Sequence, residues 1–60
     1  MRKEQFVGKS KREVLAMLPA DVKIAYFETR KGIPQMLSLV GKDWCLLLFF
    51  DKTTRRVIEH

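Results

Sequence analysis

Cysteine and histidine are nearly absent from this 60-residue chain, which has one of each. The lone Cys45 cannot form a disulfide within the chain, and it fits a reducing compartment better than a secreted one. Metal binding is also disfavoured, because Cys45, His60 and the scattered carboxylates show no CxxC or HxxxH spacing that would gather a set of ligands. The sequence therefore predicts neither a metal ion nor any other cofactor.

Long apolar runs are absent as well. The most apolar stretch, WCLLLFF at 44–50, is seven residues long, whereas a membrane-spanning helix needs roughly 20. The basic N-terminus, MRKEQFVGK, is not followed by an apolar segment and is not typical of a signal peptide. We therefore expect a soluble, cytoplasmic chain with no membrane span.

The residues that most often carry catalysis are also poorly represented. Gly8, Gly32 and Gly41 form neither a P-loop nor a GxGxxG motif. A cysteine within an apolar strand is expected to be buried and unreactive, and His60 is the last residue, where a mobile side chain makes a poor general base. The carboxylates show no paired spacing, so the sequence predicts that the chain is not an enzyme.

Small size limits the core that this chain can build. We expect a single domain over residues 1–60, and a domain of this length buries only about 60% of the surface that its unfolded chain exposes. An internal disulfide is excluded and a metal ion is disfavoured, so association with another copy is the remaining source of added stability.

The chain carries an excess of positive charge. Its net charge is +5 and its pI is near 9.8, which permits an acidic partner such as nucleic acid. The twelve Lys and Arg residues are nevertheless spread from Arg2 to Arg56, as is typical of a solvated, mixed-charge surface.

A short helix is predicted after Ser10. Ser10 and Glu13 have the spacing of a capping box, so the helix should begin at about Lys11. Pro19 cannot continue it, which limits the helix to about two turns. Its apolar stripe comprises Val14, Leu15 and Leu18, widened by Met17.

Strands are predicted in the rest of the chain. Alternation of β-branched and aromatic residues indicates a strand over about 22–29, and WCLLLFF indicates a central strand over 44–50. The turn DKTT then leads into a short last strand within RRVIEH. Segment 33–40 is open to two interpretations: a helix with Pro34 at its first position and Gly41 beyond its end, or a strand that continues an antiparallel meander. The strand is favoured.

The predicted fold class is α+β: one short N-terminal helix packed on an antiparallel sheet of three to four strands. One helix cannot cover both faces of WCLLLFF. The predicted interface is either an exposed edge of the sheet or the uncovered face, which is assigned to Trp44, Leu46, Leu48 and Phe50. The predicted core comprises Phe6, Val14, Leu15, Leu18, Ile24, Tyr26, Leu37, Leu39, Cys45, Leu47, Phe49 and Ile58.

The opening FVGKSKREVLAMLPAD resembles that of small bacterial domains typified by the SmpA/OmlA (BamE) outer-membrane assembly lipoproteins and related β-lactamase-inhibitor-like modules. Their pattern G-x-S/T-x-x-x-V-x-x-x-L is matched by Gly8, Ser10, Val14 and Leu18, although Pro19 stands where a glycine usually follows. The last hairpin, LLLFFDKTTRRVIEH, is also similar, with matches at Phe50, Asp51 and Val57. The resemblance implies a helix-on-sheet fold whose relatives bind other proteins.

Two functional hypotheses follow. The first is a non-enzymatic protein-binding module that associates with a protein partner or with itself as a homodimer. The second is single-stranded nucleic-acid binding, with Tyr26 and Trp44 as stacking platforms. The second hypothesis requires a basic face on one surface, composed of Arg30, Lys31, Lys42, Arg55 and Arg56.

Overall fold

The computed structural model describes residues 2–59 and contains one α-helix and one four-stranded sheet. A 3₁₀ turn at Lys3–Gln5 precedes helix α1 at Lys11–Met17. The strands are β1 (Lys23–Arg30), β2 (Ile33–Val40), β3 (Cys45–Phe50) and β4 (Val57–Ile58). Each strand pairs antiparallel with the next along the chain, in the order β1-β2-β3-β4. The predicted α+β class is confirmed.

The capping box at the start of α1 is present. The Glu13 N–H donates to the Ser10 hydroxyl at 3.2 Å, and the Ser10 N–H donates to Glu13 Oε1 at 2.9 Å. The helix ends because Leu18, which precedes Pro19, is extended with φ −77° and ψ 134°. No helix within residues 2–59 has the length and apolar character needed to cross a membrane.

Segment 33–40 is a strand, so the helical alternative is wrong. Lys31 and Gly32 have φ values of 52° and 81°, and two successive positive values are the mark of the tight turns that join hairpin strands. Pro34 has no N–H for a ladder hydrogen bond, and it pairs with Thr29 beside a register shift at which β2 holds one extra residue, Gln35. The proline therefore lies next to a bulge in its own strand.

The core draws on the N-terminal segment, the helix and three strands. Its buried residues are Phe6, Val14, Leu37, Leu39, Leu48, Phe50 and Val57, with Leu18, Val22, Phe27, Trp44 and Leu46 packed against them. The predictions of Phe6, Val14, Leu37 and Leu39 as core residues are confirmed.

Several other predicted core residues are not buried. Phe49 is half-buried, and the exposed ones are Leu15, Ile24, Tyr26, Cys45, Leu47 and Ile58. The main cause is the orientation of β3, because shifting the alternation by one residue moves every side chain to the opposite face. In β1, Ile24 shares the buried face with its partner Leu39 but lies on the outermost strand, and the register shift between Ile24 and Tyr26 turns Tyr26 to the opposite face.

The N-terminal segment closes the outer edge of β4. The Gly8 N–H donates to the Val57 carbonyl and the Val57 N–H donates to the Lys9 carbonyl, each at 2.8 Å. Ser10 and Arg56 form an isolated antiparallel bridge beside them. A strand of only two residues is thus held from both sides, and nothing in the sequence pattern indicated this pairing.

Candidate functional site

The pairing register assigns the side chains of the sheet to two faces. On the first face Leu37 lies opposite Leu48, Leu39 opposite Leu46, and Phe50 opposite Val57. All of these side chains except the half-buried Leu46 are buried. This buried face is the side of the sheet that carries the core.

The second face, which we call the open face, is apolar and exposed. Its side chains fall into four rows that run across the strands: Lys23, Val40 and Cys45; then Tyr26, Ser38 and Leu47; then Glu28, Met36, Phe49 and Ile58; then Arg30 and Ile33. Leu47 is 46% exposed and Tyr26 is 53% exposed. Val40 and Ile58 are exposed as well. Large apolar side chains exposed together in this way are typical of an interaction surface.

The predicted interface of Trp44, Leu46, Leu48 and Phe50 is wrong. Leu48 and Phe50 are buried in the core, and Leu46 and Trp44 pack against it. Strand β3 does have an apolar face outside the core, but that face carries the alternate residues Cys45, Leu47 and Phe49. Every residue of β3 is apolar, so the sequence contained no polar position from which to choose.

Charge is confined to the margin of the open face. The charged residues Lys23, Glu28 and Arg30 all lie on β1, and their side chains are exposed. The open-face residues of β2, β3 and β4 are uncharged, with the hydroxyl of Ser38 as a polar group between Tyr26 and Leu47. The face therefore has an uncharged centre and a single charged border.

The edges of the sheet are less suited to binding than the open face. The outer edge of β4 is occupied by residues 8–10. The outer edge of β1 has no partner strand within residues 2–59, but β1 holds one extra residue, Ala25, at the register shift between Ile24 and Tyr26. Such irregularities bend a strand and discourage edge-to-edge pairing.

The predicted basic face is divided. In an antiparallel meander alternate turns lie at opposite ends of the sheet. Arg30 at the end of β1 and the turn residues Lys31 and Arg55 therefore share one end, while Lys42 is at the other. Arg56 is engaged elsewhere, since its Nη1 lies 2.9 Å from Glu13 Oε1 and 2.8 Å from the Gly8 carbonyl oxygen. The five cations do not gather at one end.

The predicted stacking platforms also differ from each other. Tyr26 is exposed on the open face. Trp44 is half-buried, and its indole ring lies so close to Gly41 that a Cβ at position 41 would overlap it. Of the two aromatic residues, Tyr26 alone offers an exposed ring.

Reactive groups are sparse in the part of the chain that the structure describes. Residues 2–59 enclose no pocket and bring together no group of three or more His, Cys, Asp or Glu side chains that could hold a metal ion. Cys45 is exposed, which corrects its prediction as a buried thiol. His60, considered above as a general base, lies outside the described residues.

Two carboxylates have shifted pKa values, and both serve local structure. The pKa of Glu13 is lowered chiefly by the hydrogen bond that its carboxylate accepts from the Ser10 backbone N–H, and also by Arg56. The pKa of Asp51 is lowered chiefly by the Thr54 backbone N–H, which donates to Asp51 Oδ2 at 2.9 Å. These carboxylates secure a helix start and a turn.

Comparison of the chain with protein-family models, with curated proteins and with solved structures finds no match. The resemblance to the SmpA/OmlA (BamE) lipoproteins therefore stays a prediction.

Proposed function

We propose that this chain is a non-enzymatic protein-interaction module whose contact surface is the open face, and that the surface is occupied by a second copy of the same chain. The observation that carries the proposal is the exposure of Tyr26, Val40, Leu47 and Ile58 together on one face of the sheet. Burying such a face removes apolar area from water, which is the main driving force for association.

The proposal places α1 on the buried face, so that the helix is not available to cover the open face. Two contacts support this placement. Val14 belongs to the same buried cluster as Leu37 and Leu48, and Lys11 Nζ lies 3.9 Å from the centroid of the Phe27 ring. A helix of seven residues is only about 10 Å long, and it serves one side of a two-layer fold.

The total exposed area also supports a missing layer. The chain exposes 4495 Å², whereas a monomeric protein of 7.1 kDa ordinarily exposes about 4,100 Å². The excess is in the direction expected of a subunit taken alone. It is consistent with an apolar face that meets another surface.

The chemistry of the open face favours a second copy over an acidic partner. An acidic protein or a nucleic acid would be attracted to the basic turns, but the centre of the open face has no charge to attract it. A homodimer with two-fold symmetry uses the same patch twice, and a flat apolar sheet face is complementary to itself.

The area of the open face determines the affinity that we expect for the dimer. Four short strands at a spacing of about 4.8 Å give a face roughly 15–20 Å on each side, so two stacked faces bury roughly 450–800 Å² in total. That area is below the roughly 1,200 Å² at which standard specific complexes begin. We therefore expect a weak, reversible dimer that forms only at high protein concentration.

The test compares two leucine substitutions by sedimentation equilibrium across a broad concentration series. Leu47→Gln removes apolar area from the open face, and we expect it to weaken the dimer roughly tenfold to hundredfold, because both copies lose the contact. Leu15→Gln is the matched control, since Leu15 is exposed on α1 at 36% and should leave the dimer unchanged. Circular dichroism would confirm that both variants fold.

A wild-type chain that stays monomeric at every concentration, or two variants with equal effects, would overturn this proposal. Single-stranded nucleic-acid binding is the second candidate function. It is favoured by four cations at one end of the sheet, namely Arg30 at the end of β1 and Lys31, Lys52 and Arg55 in the turns. A random oligonucleotide added to the same experiment tests it. Binding that falls steeply with salt would support it, because the slope reports released counterions.

A further inference from the structure

We infer that the end of the sheet that holds Arg30, Lys31, Lys52 and Arg55, which we call the basic end, binds the phosphate backbone of a single-stranded nucleic acid without reading its bases. This inference gives the second candidate function a site, and it does not depend on the dimer. Its evidence is the backbone conformation of Lys31 and Arg55, together with the difference in charge between the two ends of the sheet.

Lys31 lies at a turn position that suits other residues better. Residues 31 and 32 form the two-residue loop between β1 and β2, with φ values of 52° and 81°. Such loops need left-handed backbone at both positions, and Asn-Gly is a sequence that commonly supplies it. Gly32 is the expected residue at the second position, but the first holds a lysine. Lysine is strained there, because its Cβ crowds the backbone and it lacks the short polar group with which asparagine bonds locally.

Arg55 repeats this arrangement in the other loop at the same end. The Asp51 N–H donates to the Arg56 carbonyl at 2.8 Å, and the Arg55 N–H donates to the Asp51 carbonyl at 2.7 Å, which closes a loop over residues 52–55. Arg55 has a φ of 60°, a conformation that glycine or asparagine ordinarily takes. Within residues 2–59, Lys31 and Arg55 are the non-glycine residues with positive φ. Strain at an exposed cation in each of two loops points to a function of the cations.

The cations of the basic end are accessible to a ligand. The side chains of Arg30, Lys31 and Arg55 are exposed and make no hydrogen bond or ion pair within residues 2–59. Lys52 is exposed as well, and the carboxylate of its loop, Asp51, accepts a backbone N–H at 2.9 Å. The basic end therefore carries a net positive charge, which attracts a polyanion.

The opposite end of the sheet has no such excess. Its loop, residues 41–44, holds Lys42 followed by Asp43, so the two charges balance. Neither of these two residues has a positive φ. Lys42 is exposed, and it is therefore a matched control for the cations of the basic end.

The geometry of the basic end favours a chain of phosphates. The two loops are about two strand spacings apart, or roughly 10 Å. A flexible single strand can adapt its phosphates to both loops, which a stiff duplex cannot do. The other residues of the two loops are Gly32, Thr53 and Thr54, so the loops have no apolar side chain to insert into a membrane and no aromatic or amide group to read bases. We therefore expect contact with phosphates independent of sequence.

The open face lies outside this site. Glu28 stands on the open face between Tyr26 and Arg30 of the same strand, and its carboxylate repels phosphate. A bound strand should therefore cross the basic end from loop to loop, without running along β1 to stack on Tyr26. Nucleic-acid binding and dimerisation then use different surfaces.

The test measures the binding of a fluorescently labelled oligothymidylate about 20 nucleotides long, by anisotropy over a range of salt concentrations. Four phosphate contacts predict a slope of about −3 for log affinity against log salt. Lys31→Asn and Arg55→Asn should each weaken binding about threefold to tenfold at low salt and reduce the slope by about 0.7. Both variants should also raise the melting temperature by roughly 2–6 °C, because asparagine relieves the left-handed strain.

Lys42→Asn makes the same substitution at the opposite end, at a residue without positive φ. It should leave both the affinity and the melting temperature close to those of wild type. Equal weakening by Lys42→Asn and Lys31→Asn would show that net charge alone governs binding, and would overturn the inference. Loop variants that gain stability but bind as tightly as wild type would overturn it as well.

The remaining arms identify the ligand and its path. Tighter binding of a duplex of the same length, or equal binding of polyglutamate, would overturn the assignment to a single strand. A loss in Tyr26→Leu as large as in the loop variants would place the strand on the open face instead. A wild-type chain that is monomeric contradicts the proposed function and leaves this inference standing, whereas a dimer that does not bind the oligothymidylate at low salt overturns this inference alone.

Discussion

At the scale of single residues, Glu13 and Asp51 link stability to pH. Hydrogen bonds from backbone N–H groups lower the pKa of both carboxyls in the folded chain. A lowered pKa in the folded state contributes stability that is present above the unfolded value, about 4, and is lost as the pH falls through the folded value.

We therefore expect the free energy of unfolding to decrease as the pH is lowered from about 5 towards the folded-state pKa values. Urea denaturation at a series of pH values would measure the decrease. Glu13→Gln should be less stable than wild type near neutral pH and should show a smaller decrease in acid. An unchanged slope in this variant would contradict the role of Glu13.

Single residues also show where sequence reasoning reaches its limit. The capping pair Ser10 and Glu13 could be predicted because side-chain chemistry and spacing together specify one local structure. The sheet faces on which Leu47 and Leu48 lie could not be predicted. A strand in which every residue is apolar shows no alternation of apolar and polar residues that would indicate its buried face. The open face was therefore predicted to exist but was assigned to the wrong residues.

At the scale of elements, the connection between β2 and β3 depends on a close contact. The Gly41 N–H donates to the Trp44 carbonyl at 2.9 Å, and the indole ring occupies the space beside the Gly41 Cα. Trp44 in turn packs against the core. The glycine is needed here for space, since its φ is not positive as it is at Gly8 and Gly32.

We expect Gly41→Ala to destabilise the chain by about 1–3 kcal/mol, because the added methyl group must displace the indole ring. Chemical denaturation followed by tryptophan fluorescence would measure both the loss and the displacement. In a Trp44→Leu background, which contains no tryptophan and is therefore followed by circular dichroism, the same substitution should cost much less, since the overlapping ring is gone. Equal costs in the two backgrounds would exclude the contact as the cause.

The order of elements was more accessible to prediction than their pairing. The strand over 22–29 and the strand over 44–50 carry β-branched and aromatic residues, and both are present as β1 and β3. The pairing of residues 8–10 with β4 was not predicted, because it joins segments far apart in sequence through backbone groups that every residue has. Long-range backbone pairing leaves little trace in local composition.

At the scale of the whole molecule, the N-terminal segment is an integral part of the core. Phe6 is fully buried, and the segment that follows it is hydrogen-bonded to β4. Removing a buried Phe side chain costs about 3–5 kcal/mol, and a domain of 60 residues has a total stability of only about 3–9 kcal/mol.

We therefore expect Phe6→Ala to leave much of the chain unfolded, as measured by circular dichroism and by the dispersion of amide proton signals. Val7→Ala is the matched control, since Val7 is the next residue and is exposed, so its loss should cost well under 1 kcal/mol. A folded Phe6→Ala variant of near-normal stability would show that the rest of the core suffices alone.

The hydrogen bonds between Gly8 and Val57 also bear on when folding can occur during synthesis. The core needs Phe6 from the beginning of the described chain and Val57 from close to its end. Until the last strand has been synthesised, residues 8–10 have no strand with which to pair. We therefore expect the nascent chain to remain unfolded until residue 57 has emerged from the exit tunnel, and its apolar strands to be exposed to chaperones until then.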